Sequence, residues 1–81
     1  MIAKVGLQSW VAEALEDLGG RAHLVAVAKR IWAAHEQDLR NSGDLFFTWQ
    51  YDMRWAANRL RSLKVLRAAT ESPVGVWELA K

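Results

Sequence analysis

The sequence predicts an α+β domain in which three helices are followed by a C-terminal β-hairpin. Three segments carry apolar residues at helical spacing, and short glycine-rich stretches separate them. Residues 65–79 contain two apolar stretches on either side of the single proline. Because 81 residues are too few for two domains and 52% of them are apolar, we expect one domain spanning residues 1–81.

The first predicted helix has its N-terminal cap at Ser9 or a residue near it and ends before Gly19. Its apolar face consists of Leu7, Val11, Ala14, Leu15 and Leu18. Gly19-Gly20 ends this helix, because glycine readily adopts the left-handed conformation that closes many helices. The next four residues, 21–24, fit either a brief strand or a turn.

Two further helices follow on either side of the loop Asn41-Ser42-Gly43-Asp44. The second runs from about Val25 to Leu39 or Arg40. The third starts between Asp44 and Thr48 and ends near Leu63. Its predicted core face consists of Phe46, Trp49, Met53, Ala56, Leu60 and Leu63.

The end of the chain predicts a hairpin. A strand over residues 65–70 leads into the turn Glu71-Ser72-Pro73, and a second strand covers residues 74–79. Alternation places Trp77 and Leu79 on one face of that strand. The order helix, short strand, helix, helix, strand, turn, strand is typical of a winged helix-turn-helix, in which the hairpin is the wing.

Four short sequence segments between residues 11 and 79 also resemble a known family. They are Leu18-Gly19-Gly20-Arg21-Ala22-His23-Leu24, Arg54-Trp55-Ala56 with Leu60, Val65-Leu66, and Gly75-Val76-Trp77-Glu78-Leu79. This pattern resembles the winged-helix domain at the N-terminus of Mrr-type restriction proteins. The resemblance implies a winged-helix fold and a DNA-associated role, but the separate nuclease domain of those proteins is not carried over. It also implies that Trp55, which lies off the predicted core face, packs against the hairpin or another helix; the alternative is a Trp55 exposed for function.

Positive charge is concentrated in the second half of the chain. Residues 1–46 contain five basic and six acidic residues, whereas residues 47–81 contain six basic and three acidic residues. Between Arg54 and Arg67 there are five basic residues and no acid. Such density is typical of a surface that binds a polyanion, although many charged stretches only solvate a face.

The third helix is the expected DNA-reading element, because the second helix of a helix-turn-helix enters the major groove. Its predicted outward face consists of Gln50, Arg54, Asn58 and Arg61. Arginine pairs bidentately with guanine, and asparagine or glutamine with adenine. Phosphate contacts are expected from Arg59, Lys64 and Arg67. The sequence therefore predicts a non-enzymatic protein that binds double-stranded DNA, as a transcriptional regulator or a DNA-associated accessory factor.

The alternative is a winged-helix module for protein–protein interaction or dimerisation without DNA binding. The small size of the domain favours a homodimer, which would add buried surface and a second recognition helix. The two hypotheses differ in what the outward face of the third helix contacts.

Other function classes find little support in the sequence. The chain has no cysteine, and His23 and His35 are too few for a zinc site, so we expect no metal and no other cofactor. No phosphate-binding loop, nucleophile motif or small-molecule substrate site is evident, so we expect no catalysis. No apolar run approaches the length of a membrane span, and we expect a cytoplasmic protein.

Overall fold

The computed structural model describes residues 3–80, which form three α-helices and a two-stranded antiparallel sheet. The elements are α1 (Leu7–Asp17), β1 (Arg21–His23), α2 (Leu24–Arg40), α3 (Leu45–Ser62) and β2 (Val76–Glu78). Short 3-10 turns occupy Lys4–Gly6 and Ala69–Glu71. The predicted α+β class and the three helices are confirmed, and of the two alternatives for residues 21–24 the structure has the short strand.

The core lies between the three helices and beneath β2. Its best-buried side chains are Leu7, Val11 and Leu15 of α1, Val27, Ile31 and Leu39 of α2, and Met53, Ala56 and Ala57 of α3. At 100° per residue they fall within an arc of about 120° on each helix, and burying these faces together stabilises the bundle. Trp77 of β2 closes this core and is only 5% exposed.

β2 is hydrogen-bonded along both of its edges. On one edge it pairs antiparallel with β1, with Ala22 opposite Trp77. On the other edge the Arg67 N–H donates to the Glu78 carbonyl at 2.8 Å, and the Ala80 N–H donates to the Val65 carbonyl at 2.9 Å. The C-terminal strand therefore ties the segment before α2 to the segment after α3.

The predicted strand over residues 65–70 is wrong, since only Leu66 forms a bridge, with Leu79. The N–H groups of Val65 and Leu66 both donate to the Leu60 carbonyl as the chain leaves α3. Farther on, the backbone coils into the 3-10 turn Ala69–Glu71. Only two residues separate Leu66, where the chain leaves α3, from the 3-10 turn that begins at Ala69, so no strand forms over residues 65–70. The predicted hairpin is therefore replaced by the single bridge between Leu66 and Leu79.

The predicted core face of α3 is largely confirmed. Its buried members are Trp49, Met53, Ala56 and Leu60. Phe46 is half-buried, but Leu63 is 56% exposed and does not belong to the core. The chain reverses at Lys64, which has a positive φ of 64°, and Leu66 enters the core in place of Leu63.

Trp55 is half-buried and packs against the core, in agreement with the alternative in which its ring is packed. The Lys4 ammonium lies 4.5 Å from the centre of its ring and 3.9 Å from Asp52 Oδ1. Asp52 also accepts a hydrogen bond of 2.7 Å from the Thr48 hydroxyl. Trp55 therefore packs under the 3-10 turn that precedes α1.

Candidate nucleic-acid interface

The start of α3 is set by the four-residue loop after α2. The Ser42 hydroxyl donates to the Leu39 carbonyl, which satisfies an acceptor at the end of α2. Gly43 then adopts a positive φ of 67°, and α3 begins at Leu45. Because the loop is short, α3 stays packed against α2 and turns its polar face to solvent.

The structure brings together four of the predicted site residues on that polar face. Gln50, Arg54 and Asn58 are exposed, and Arg61 is half-buried. Helical geometry places the four side chains within an arc of about 80°. The only acid of α3, Asp52, is buried on another side of the helix. The face therefore combines two guanidinium groups and two amides without an opposing charge.

A groove of about 330 Å³ runs between α3 and the segment after it. Arg54, Asn58 and Arg61 form its α3 wall. The facing residues are Leu24, Ala69, Pro73, Val74, Gly75 and Trp77. None of these lining residues is acidic, so the groove presents positive charge beside an apolar wall.

Arg61 is the most constrained polar residue of the groove. Its Nη1 donates a long hydrogen bond of 3.4 Å to Asn58 Oδ1. Its Nε is buried and finds no hydrogen-bond partner among residues 3–80. A buried donor that lacks an acceptor costs free energy, so the Arg61 guanidinium is held in the groove wall at some cost in stability.

The turn that faces α3 is anchored to the start of α2. The Leu24 N–H donates to the Gly75 carbonyl at 2.8 Å. His23 caps α2, because its Nδ1 accepts from the Val25 N–H at 3.1 Å, and its ring packs against Gly75. The fully exposed side chain of Val74 lies at the tip of this turn. The turn is therefore held at a fixed position beside α3.

The three predicted phosphate contacts do not share the face of α3 described above. Arg59 projects roughly 145° away from the centre of that face. Lys64 lies beyond the end of the helix and is exposed. Arg67 lies 3.7 Å from Glu78 and lines a different groove, together with Arg21. These residues surround the candidate site at a distance rather than forming part of it.

Sequence reasoning gave no role to two aromatic residues on the solvent side of α3. Phe47 is 82% exposed and Tyr51 is 76% exposed. They lie one turn apart and next to Gln50 and Arg54 on the helix surface. A helical projection of Phe47 against the predicted core face would have identified it, since it points away from that face.

Within residues 3–80 no helix combines the length and the apolar character that crossing a bilayer requires. A scan against protein-family models, a search of curated proteins and a search of solved structures each returned no match for this chain.

Proposed function

We propose that this protein is a non-enzymatic winged-helix protein that binds double-stranded DNA, with α3 in the major groove. The observation that carries the proposal is the acid-free face of Gln50, Arg54, Asn58 and Arg61 beside the groove. The segment 69–75 would act as the wing. A role as transcriptional regulator or DNA-associated accessory factor fits this binding mode.

The exposure of each side chain suggests its role. Arg54 and Asn58 are exposed near the middle of α3, so they can reach base edges, where arginine reads guanine and asparagine reads adenine. Arg61 is half-buried beneath the wing and has less reach, which suits a phosphate oxygen. The tip of the wing offers Val74 instead of a base, so we expect it to contribute apolar contacts to the sugar–phosphate backbone.

The resemblance to the N-terminal domain of Mrr-type restriction proteins supports a DNA-associated role. The resembling segments include Arg54-Trp55-Ala56 on α3 and Gly75 beside the groove. No nuclease activity is part of this proposal, since the resemblance does not extend to a nuclease domain.

The proposal is tested by fluorescence anisotropy of a labelled duplex at several salt concentrations. Contact with about three to five phosphates predicts a slope of log K against log [salt] of about −3 to −5. Arg54→Ala and Arg61→Ala should each weaken binding, and Arg61→Ala should reduce the slope by about 1. Arg21→Ala is the matched control, because Arg21 is an exposed arginine on a different groove. Absence of binding at low salt, or equal losses in all three variants, would refute the proposal.

The exposed aromatic pair supports a second candidate, a protein-interaction or dimerisation module. Phe47 packs edge-to-face on the half-buried Phe46, with ring centres 5.0 Å apart, which holds an apolar ring at the surface. Exposed aromatic groups of this kind are enriched at protein interfaces. Sedimentation velocity of the wild type and of Phe47→Ser with Tyr51→Ser tests this candidate. A wild-type dimer that becomes monomeric in the double variant would support this candidate. If the wild type and the double variant are both monomers, the homodimer is refuted.

A further inference from the structure

A second groove lies between the first half of α2 and the first half of α3, with a volume of about 510 Å³. Its floor is made by the rings of Trp32, Phe46 and Trp49, and Ala28 opens one wall. Lys29 and Gln50 supply its polar groups. Apolar clefts of this size with a few convergent polar groups are typical of small-molecule sites.

The aromatic floor is held in place by its own packing. The Trp32 and Trp49 rings are 6.1 Å apart at only 12° between planes, and Phe46 lies 6.4 Å from Trp32. The Arg40 guanidinium lies 5.1 Å from the centre of the Trp32 ring and is itself fixed by Glu36 at 2.8 Å. Because Trp32 cannot turn without breaking these contacts, the floor is preorganised for a flat aromatic group.

The charge around this groove selects an anion. Lys29 is exposed and forms no ion pair within the part of the chain that the structure describes. No acidic side chain lines the groove. A cationic ligand would meet the Lys29 ammonium with no carboxylate in the lining to offset the repulsion, and a polyphosphate would find a single lysine. One negative charge matches one ammonium group, and the Gln50 amide can donate a hydrogen bond to the same anionic group.

We propose that this groove binds a small planar aromatic carboxylate, with the ring on the tryptophan floor and the carboxylate on Lys29. This groove is distinct from the groove beside the wing, but it shares Gln50 with the proposed DNA-reading face of α3. Ligand binding here does not require DNA.

The test uses ¹H–¹⁵N spectra of the tryptophan indole N–H groups during titration with naphthalene-2-carboxylate. Saturable shifts are expected at Trp32 and Trp49 with a Kd of about 1 mM or below, as efficient ligands of this size allow. Trp10 and Trp77, which do not line the groove, should not move. Naphthalene-2-carboxamide should bind at least about threefold more weakly, because it lacks the charge that pairs with Lys29.

Two pairs of variants complete the experiment. Lys29→Gln should abolish the preference for the carboxylate over the amide, whereas Lys64→Gln removes the same charge elsewhere and should preserve it. Ala28→Leu should fill the wall and prevent binding, whereas Ala33→Leu changes an exposed position of the same helix and should not. Equal binding of the two naphthalenes by the wild type, or shifts spread over all indoles, would overturn the proposal.

Discussion

The Trp10 indole lies face to face on the His35 imidazole, with ring centres 3.8 Å apart and 3° between the planes. The same imidazole has its Nε2 atom 3.1 Å from Glu13 Oε1. Trp10 and Glu13 belong to α1, and His35 is the residue at which α2 departs from helical geometry, with φ −132° and ψ 23°. The stack therefore joins α1 and α2 where α2 kinks.

This stack predicts an energetic coupling between Trp10 and His35. A double-mutant cycle with Trp10→Ala and His35→Ala should give a coupling of about 0.5–1.5 kcal/mol, the usual value for a stacked aromatic pair. Urea denaturation measures the free energy of unfolding of each variant. Gln37→Ala, at an exposed position of the same helix, replaces His35→Ala in the control cycle and should be additive with Trp10→Ala. Equal coupling in both cycles would contradict a specific stack.

Gly75→Ala should destabilise the fold in two ways. Gly75 has a positive φ of 79°, and an added Cβ would lie 2.9 Å from His23 Nε2. The His23 ring cannot retreat without losing its cap on α2. We expect a loss of about 2 kcal/mol or more in the free energy of unfolding.

Gly43→Ala is the control for Gly75→Ala, because Gly43 also has a positive φ but open space around it. Only the backbone cost of about 1 kcal/mol is expected there. In a His23→Ala background, which already lacks the cap on α2, adding Gly75→Ala should cost only the backbone part. If Gly75→Ala and Gly43→Ala lose equal unfolding free energy, the predicted steric clash with His23 does not contribute to the destabilisation.

Trp77→Ala should cost about 3–5 kcal/mol in unfolding free energy, because it leaves a cavity at the centre of the sheet. The ring is 5% exposed and β2 is hydrogen-bonded on both edges. Leu63→Ala removes a side chain that is 56% exposed and should cost less than about 1 kcal/mol. Thermal and urea unfolding compare the two variants. If Leu63→Ala loses more unfolding free energy than Trp77→Ala, the assignment of Trp77 to the core and of Leu63 to the surface is wrong.

Arg59→Ala and Arg67→Ala should change DNA affinity less than Arg54→Ala does. Arg59 lies on another side of α3, and Arg67 is close to Glu78. Anisotropy at about 150 mM salt is the measurement, with an expected change of about twofold or less for each variant. If Arg67→Ala lowers DNA affinity as much as Arg54→Ala does, the DNA interface also includes the region around β2.

The helices could be predicted from the sequence because their signals are local. The apolar spacing from Leu7 to Leu15 and the following Gly19-Gly20 place α1 within a residue of its observed end at Asp17. The outward positions of Gln50, Arg54 and Asn58 follow from the same periodicity. This part of the candidate site was therefore accessible without coordinates.

The C-terminal region could not be predicted in the same way, because its hydrogen bonds are long-range. Val65 and Leu66 bond back to Leu60, and β2 finds its strand partner more than fifty residues away in β1. No local pattern shows that Leu66 enters the core or that Leu63 does not. The groove beside Arg61 depends on this arrangement, and the sequence therefore did not reveal it.

The pairing of Ala22 with Trp77 also bears on how the chain is made. During translation the three helices emerge before β2, so Trp77 cannot seal the interior until residues 76–79 have left the ribosome. Until then the side of the core that Trp77 covers stays open to water and to chaperones. Closing the long loop between β1 and β2 is therefore expected to be a late and slow step in folding.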